Sequence, residues 1–308
     1  MFAPAPVPSD SHARHTPGTG AWLLLSPLIA WLALFVAVPG LMLVVISFCA
    51  RDEIGRIVFR FTLENYARAF DPVYLRILWV SLWQAFLSAL VCVVAGYPVA
   101  WCIGRASERM RGVLLLLVII PFWISFLVRT YAWISILSTE GLFNGALLAT
   151  HLSGEPVSLL YSKFAVVLGL IYNYLPFAIL PIYGSVEKLD RSLMEAACDL
   201  GARPAQTFAR VILPLTWPGI VAGFLLVFVP AIAMFAIATL MGGGAVPTVG
   251  NVIQNQFTAA RNAPFGAALG TLLLLLFFCT TWVLLHLQSR FAIRNSSASS
   301  LCAASEKA

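Results

Sequence analysis

Long stretches without a charged residue constrain this chain more than any other feature of its sequence. The stretch from Ala21 to Ala50 contains no charge. It is longer than the apolar core of a signal peptide, which has about 7–15 residues. It is also long enough for a helix that crosses a bilayer, which needs about 20 residues. We therefore predict a membrane-spanning helix here that the mature protein retains.

Five further stretches have the length and apolar character of a span. They are Ile77–Gly104, Gly112–Thr139, Phe164–Val186, Val211 to about Leu240, and Asn262–Ser289. The fifth is cut at Leu240 because glycines at 242–244 break an uncharged run that continues to residue 260. Lipid cannot satisfy a free backbone, so each span should be helical. The sequence predicts an all-α integral membrane protein with six transmembrane helices.

The composition supports a membrane protein and excludes several other classes. Hydrophobic residues make up 60% of the chain and charged residues 10%, against about 25% charged residues in soluble domains. The net charge of +6 is dispersed between the apolar runs, so no nucleic-acid partner is expected. The six cysteines contain no CxxC pair and the four histidines are scattered. We therefore expect no disulfide framework, metal site or cofactor.

The predicted spans divide the chain into three parts. Residues 1–20 should be a disordered tail, residues 21–289 a six-span transmembrane domain, and residues 290–308 a C-terminal tail. An even number of spans places both termini on one side, which we take as cytoplasmic. Eleven basic residues then lie inside and seven outside, although the first outer loop, with five arginines, goes against the positive-inside rule.

The loop between the fourth and fifth spans, residues 187–219, reads EKLDRSLMEAACDLGARPAQTFARVILPLTWPG. It predicts two short helices followed by re-entry into the membrane. Ser192 and Glu195 have the spacing of a capping box. Gly201 suits the left-handed residue that ends a helix, and Pro204 suits the first turn of the next.

This loop resembles the EAA loop of ABC importer permeases. The matching residues are Glu195, Ala196, Ala197, Gly201, Val211, Leu213 and Pro214. Val211 stands where the family usually has Ile. The resemblance implies that the loop forms a coupling helix, which docks in a groove of a cytoplasmic ATPase.

The resemblance extends to the membrane subunits of spermidine/putrescine-type importers. Six segments follow the family's order: Phe61–Leu75, Gly96–Trp101, Pro121–Leu137, Tyr172–Asp190, Leu240–Phe257 and Asn262–Leu269. It implies a type I (MetI-like) permease in the bacterial inner membrane, paired with a second permease. Two ATPase subunits and a periplasmic solute-binding protein would complete the transporter. The chain has no GxxxxGK[ST] sequence, so ATP hydrolysis should belong to another subunit and this chain should not be an enzyme.

The third predicted span supplies three candidates for the translocation pathway. Arg129 is the ionisable residue inside a span, a position that is costly and often functional. Counting about 1.5 Å per residue from Gly112 places it near the outer interface, where it could instead anchor the helix. Tyr131 and Trp133 could form an interfacial aromatic belt or line the outer mouth.

Further candidates lie on the fourth span and on the segment after the fifth. Tyr172, Asn173 and Tyr174 place polar groups before Pro176, where they could bind a neighbouring helix or the solute. Thr239 ends the fifth span, and Asn251 lies in the segment LMGGGAVPTVGNVIQNQF that carries the family resemblance.

The sequence features lead to two different predictions of the solute. The overall resemblance implies a polyamine. However, Thr239 and Asn262 stand where the polyamine permeases often have acids, and Ala263 stands where they have Trp. Neutral residues there favour a less cationic solute such as a modified amino acid or an opine. An ion-coupled secondary carrier or a membrane enzyme is disfavoured because the spans lack carboxylates and catalytic constellations.

Overall fold

A computed structural model describes residues 19–52, 54–150 and 155–305. Helices α1 (Thr19–Leu32) and α2 (Val38–Ser47) are joined by a π-helical turn at Ala33–Ala37. The wider turn leaves room for Pro39, which cannot donate a backbone hydrogen bond. Within this unit, Leu25–Ser47 is apolar enough to cross a membrane. The first predicted span is confirmed, while residues 1–18 of the predicted tail lie outside the described part.

The loop after the first span is folded. Strands β1 (Ala50–Arg51) and β2 (Ile57–Val58) pair antiparallel, and helix α3 (Glu64–Ala69) follows. The Asn65 side chain donates hydrogen bonds to the carbonyls of Ser47 and Cys49 at 3.0 and 2.9 Å, which ties this loop to the end of α2.

Three long helices form the centre of the molecule. They are α4 (Pro72–Arg105), α8 (Lys163–Glu187) and α11 (Leu213–Ala233), which continues from α10 (Pro204–Thr207) through a π-helical turn at Phe208–Ile212. Small residues allow them to approach closely. A Cβ atom added at Gly96 would lie 3.1 Å from the Ile179 side chain, and one at Gly223 would lie 2.9 Å from the Ala178 carbonyl oxygen.

The third predicted span is not one straight helix. Helix α5 (Glu108–Ile119) and a 3₁₀ turn (Ile120–Trp123) are followed, after an 88° bend, by α6 (Phe126–Leu137) and α7 (Leu142–Ala149). The backbone is extended at the residues between the turn and α6, just after Pro121, which removes a helical hydrogen bond. The predicted third span over Gly112–Thr139 is therefore present as a bent pair of helices and not as a single helix.

The fifth span also ends earlier than predicted. Helix α11 stops at Ala233, not near Leu240, and the chain turns into α12 (Phe235–Gly242) and α13 (Val249–Phe257). A Cβ atom at Gly250 would lie 2.4 Å from the Ala233 carbonyl oxygen, so the absence of a side chain lets α13 pack against this break. The helix end predicted at the glycines is confirmed, since α12 ends at Gly242 and Gly243 is left-handed with φ +55°.

The last helix, α14, runs over Ala263–Ser305, and Ala263–Leu284 is its membrane-spanning part. The predicted C-terminal tail is thus helical up to residue 305. In the described ranges, five helices are long and apolar enough to span a membrane, and the bent pair makes a sixth. The predicted fold class, an all-α bundle with six spans, is confirmed, with one two-stranded hairpin added in the first outer loop.

Candidate translocation pathway and coupling loop

The loop between the fourth and fifth spans contains helix α9 (Arg191–Asp199). The Asp190 carboxylate caps it by accepting a hydrogen bond from the Ser192 backbone N–H at 3.0 Å. This bond lowers the pKa of Asp190, because it stabilises the charged form of the carboxylate. The predicted capping box of Ser192 and Glu195 is wrong. Asp190 lies two residues earlier, where its carboxylate reaches the free N–H groups of the first turn.

Helix α9 ends in a Schellman motif at Gly201. The Gly201 N–H donates to the Cys198 carbonyl at 2.8 Å, and the Ala202 N–H donates to the Ala197 carbonyl at 3.0 Å. Gly201 is left-handed, with φ +76°. Pro204 then opens α10. The predicted conformations of Gly201 and Pro204 are confirmed.

The seven residues of the predicted EAA motif fall into two groups. Glu195 and Ala196 are exposed on α9 and Ala197 is half-buried. Two apolar residues of this region, Leu193 and Leu200, are also exposed, at 45% and 89%. An exposed apolar surface of this kind suits a binding partner.

The second group, Val211, Leu213 and Pro214, lies at the base of the helix that enters the membrane. Val211 and Leu213 are half-buried there, and Pro214 is exposed. These three residues lie on the helix that continues into the membrane and not on α9.

Two contacts attach this loop region to neighbouring spans. The guanidinium of Arg105, at the end of α4, contacts the Met194 sulfur of α9. Arg111 of α5 pairs with Glu187, at the end of α8, with 2.7 Å between Nη1 and Oε1. Both contacts involve residues at helix ends, so they bring the ends of α4, α5 and α8 to the side of the molecule that carries α9.

Arg129 lies on α6, four residues after the break in the third span. It is 8% exposed, and its guanidinium carbon lies 5.4 Å from the centre of the Phe122 ring. Its Nε and Nη1 atoms have no hydrogen-bond partner among the described residues. Because of the 88° bend, counting residues from Gly112 does not give its depth, and its position near the outer interface stays a prediction.

The aromatic candidates on α6 and α8 are partly brought together. The rings of Trp133 and Tyr172 lie 5.5 Å apart, and those of Tyr174 and Phe177 lie 6.0 Å apart. Tyr131, in contrast, is 56% exposed. The structure therefore joins Trp133 to Tyr172 across two helices.

Helices α4 and α8 both carry buried polar side chains. Asn173 donates to the Gly169 carbonyl at 2.9 Å, while its Oδ1 has no partner in the described ranges. On α4, Gln84 and Ser88 are 3% and 0% exposed, and their side chains also lack a described partner. Sequence reasoning missed these two residues, although their four-residue spacing within an uncharged span places them on one helix face.

Thr239 and Asn251 form one hydrogen-bonded pair. The Asn251 side-chain N–H donates to the Thr239 hydroxyl at 2.6 Å. The Asn251 Oδ1 accepts from the Thr248 hydroxyl, and the Thr239 hydroxyl donates to the Phe235 carbonyl at 2.9 Å. Thr239 is exposed. Two predicted pathway residues from α12 and α13 thus present a neutral polar group at the surface.

Asn262 has a structural role in the fold. Its Oδ1 accepts a hydrogen bond from the Phe265 backbone N–H at 3.3 Å, at the start of α14, and it is 6% exposed. An Asn in place of an acid at this position therefore still serves as a helix cap.

Comparison with known families now identifies the chain. Residues 93–293 match the model of the binding-protein-dependent transport system inner membrane component family. This match covers more than half of the chain. The chain belongs to that family. It is a multi-pass membrane component of an ABC importer, and its predicted class is confirmed.

Two related permeases show how far the similarity extends. The spermidine/putrescine transport system permease protein PotB of Salmonella typhimurium (strain SL1344) is 46% identical over 246 residues, covering 80% of this permease and 86% of PotB. PotB of Escherichia coli (strain K12) is 45% identical over 245 residues, with 80% and 89% covered.

A solved structure shows the same fold. It is a chain of a bacterial alginate ABC transporter in complex with an alginate pentasaccharide-bound periplasmic protein, and it matches with a TM-score of 0.71. The match covers 87% of this permease and 93% of that chain at 17% identity. At this identity the likeness concerns the fold alone.

Proposed function

We propose that this permease carries a polyamine of the spermidine/putrescine class across the bacterial inner membrane. The observation that carries the proposal is the 46% identity, over 80% of the chain, to a permease named for spermidine/putrescine transport. The segments Pro121–Leu137, Tyr172–Asp190 and Leu240–Phe257, which resemble the spermidine/putrescine-type permeases, contribute to α6, α8, α12 and α13.

The permease works as one part of a larger transporter. We propose that it pairs with a second, similar permease, rests on two ATPase subunits and receives solute from a periplasmic binding protein. Both termini are cytoplasmic in this arrangement, and ATP is hydrolysed by the separate ATPases. The exposed Glu195 and Ala196 of α9, with Leu200 directly after the helix, support its role as the surface that docks on an ATPase.

ATP binding acts on the pathway through the packed helices. Closure of the ATPases pushes on α9, which then slides along the end of α4 at the Arg105–Met194 contact and changes how α4 is held. Helix α4 packs along α8, which carries Tyr172, Asn173 and Tyr174. The cavity then changes from inward-facing to outward-facing.

The groups available for a polycation on this chain are neutral. Aromatic faces at Trp133 and Tyr172 suit ammonium groups through cation–π contacts. The oxygens of Thr239 and Asn251 offer hydrogen-bond acceptors. Within the described candidate spans, carboxylates occur only near helix ends, at Glu108, Glu140 and Glu187. The second permease would therefore supply the carboxylates that a polyamine needs.

A less cationic solute, such as a modified amino acid or an opine, is the second candidate. The observation that favours it is the neutral Thr239–Asn251 pair together with the buried guanidinium of Arg129, since a positive charge near the pathway repels a polycation. An ion-coupled carrier is excluded by the family to which the chain belongs.

Uptake measurements decide between the two solutes. Labelled putrescine and spermidine are supplied to cells that lack redundant polyamine importers, with this transporter deleted and then restored. Restoration of uptake supports the polyamine proposal. Equal uptake in both strains contradicts it and leaves the importer class intact.

Thr239→Asp tests whether the exposed pair contacts the solute. A carboxylate at this position can still accept the Asn251 N–H and should strengthen binding of a polyamine by about 1 kcal/mol, or about fivefold in apparent affinity. Thr258→Asp is the matched control, because Thr258 is also exposed and its hydroxyl also bonds to a carbonyl four residues back. An equal effect of both variants would rule out a specific contact at Thr239.

A further inference from the structure

A cleft of about 540 Å³ lies between α9 and the end of α4. Residues of α4 form one wall, and residues of α9, α10 and the following π-helical turn form the other. Among its lining residues are two cysteines, Cys102 of α4 and Cys198 of α9. Both thiols are free and exposed. Two thiols on different elements therefore open into one cleft.

The helix register places the two cysteines close to one existing contact. Arg105 of α4 touches the Met194 sulfur of α9. Cys102 lies three residues before Arg105, and Cys198 lies four residues after Met194. Residues three or four apart share a helix face, about 5–6 Å from each other. Each cysteine therefore lies one turn away from the Arg105–Met194 side-chain contact, on the same side of its own helix.

We propose that Cys102 and Cys198 form a two-thiol site for a soft, thiophilic divalent cation. Thiolates are the protein ligands that such metals prefer. Binding replaces two thiol protons by one metal ion: two S–H groups and M²⁺ give an S–M–S bridge and two H⁺. No electron is transferred, so no oxidant is needed.

The bridge fastens the coupling helix to a transmembrane helix. Helix α9 must move relative to α4 if it transmits ATPase closure, and an S–M–S bridge opposes that movement. A bound cation therefore arrests transport in a reversible way. The existence of the metal site depends neither on the solute nor on the coupling role of α9, whereas its effect on transport depends on that coupling role.

The binding test uses the purified full-length permease and Cd²⁺ as the probe. Cd²⁺ is followed by the ultraviolet absorbance of the cadmium–thiolate bond. We expect one Cd²⁺ per chain to depend on both thiols, and Cys102→Ser or Cys198→Ser to weaken binding about tenfold or more, since the second thiolate acts at a high effective concentration. Cys279→Ser is the matched control, because Cys279 is exposed on α14 and does not line this cleft.

Three results would overturn the site. They are wild-type affinity in either single variant, the same loss in Cys279→Ser, or a loss of half the absorbance in each single variant, which would indicate two independent thiols. Each variant is first checked for monodisperse elution. Cys102→Ala or Cys198→Ala replaces a serine variant that aggregates.

The functional test uses the permease copurified with its ATPase. ATP hydrolysis with and without Cd²⁺ is expressed as a fraction of each variant's own activity. Cd²⁺ should inhibit the wild-type complex, a chelator should restore it, and Cys198→Ser should resist inhibition. If the Cys102→Ser, Cys198→Ser double variant is inhibited as strongly as the wild type, the inhibition comes from another subunit. The proposed effect of the S–M–S bridge on transport is then refuted. The binding test would then still decide whether the metal site exists.

Discussion

The left-handed Gly201 offers a test of the coupling loop that separates backbone conformation from side-chain contact. A Cβ atom added at Gly201 meets no heavy atom within 4 Å, so a larger residue fits sterically within this chain. The cost of substitution is therefore conformational. It arises because φ is +76°, a conformation in which L-residues are strained by their Cβ atom.

The size of the effect follows from this conformation. An Ala at a left-handed position costs about 1–2 kcal/mol, an Asn less, and a β-branched Val more. If docking on the ATPase requires the ordered end of α9, each 1.4 kcal/mol weakens docking about tenfold. We expect Gly201→Asn to bind almost as well as the wild type, Gly201→Ala to bind about 5 to 30 times more weakly, and Gly201→Val to bind more weakly still.

The assay measures the affinity of the purified permease variants for the ATPase subunit. Membrane insertion is monitored in parallel and should be equal in all variants, since Gly201 lies outside the spans. Gly201→Asp adds a charge and should lower affinity further than Asn, its neutral isostere. Equal affinity across the series would show that α9 is not the docking helix. A loss in Gly201→Asn as large as in Gly201→Val would mean that the ATPase rejects any side chain, and the conformational explanation would be refuted.

Three further predictions concern other parts of the loop and the spans. Arg129→Met should stabilise the isolated permease by about 1 kcal/mol or more, because it removes buried donors without described partners; a lower melting temperature would reveal an acceptor within the chain. A double-mutant cycle on Arg111 and Glu187, which are 29% and 42% exposed, should give a coupling energy of about 0.2–1 kcal/mol that falls with added salt, and about 3 kcal/mol would contradict the exposed geometry. Cys198 should react with a membrane-impermeant thiol reagent in inverted vesicles lacking the ATPase but not in intact cells, and labelling from outside would refute the proposed orientation.

Sequence reasoning succeeded where a single local property decides the structure. The length of the apolar stretches predicted the spans, because in lipid a helix satisfies the hydrogen-bonding groups of its own backbone. Gly201 and Pro204 gave the turn between α9 and α10, because each is compatible with few backbone conformations. In both cases the constraint lies within a few neighbouring residues.

The failures share a different origin. The break in the third span and the early end of α11 occur in segments that are as apolar as the helices around them. Pro121 does not mark the first break by itself, because Pro98 and Pro176 lie inside continuous helices, and the end of α11 depends on what packs against it. Gly250, for example, brings α13 against the carbonyl of Ala233, a contact between residues 17 positions apart. Composition does not contain that information.

The unpartnered polar groups also explain why the solute is hard to read from one subunit. The described part of the chain offers no hydrogen-bond acceptor for the Nε and Nη1 atoms of the Arg129 guanidinium. The described spans contain no carboxylate away from their ends. In the proposed pair, carboxylates of the second permease would therefore serve two kinds of cation, the fixed guanidinium and the ammonium groups of a passing polyamine. A carboxylate that interacts with both Arg129 and the polyamine binds the polyamine weakly and can release it. A carboxylate next to Thr239 on this chain would have the polyamine as its main partner and would bind it more tightly. On this argument the neutral pair at Thr239 and Asn251 is compatible with polyamine transport, because a pathway that only needs to pass the solute on gains nothing from a tight site.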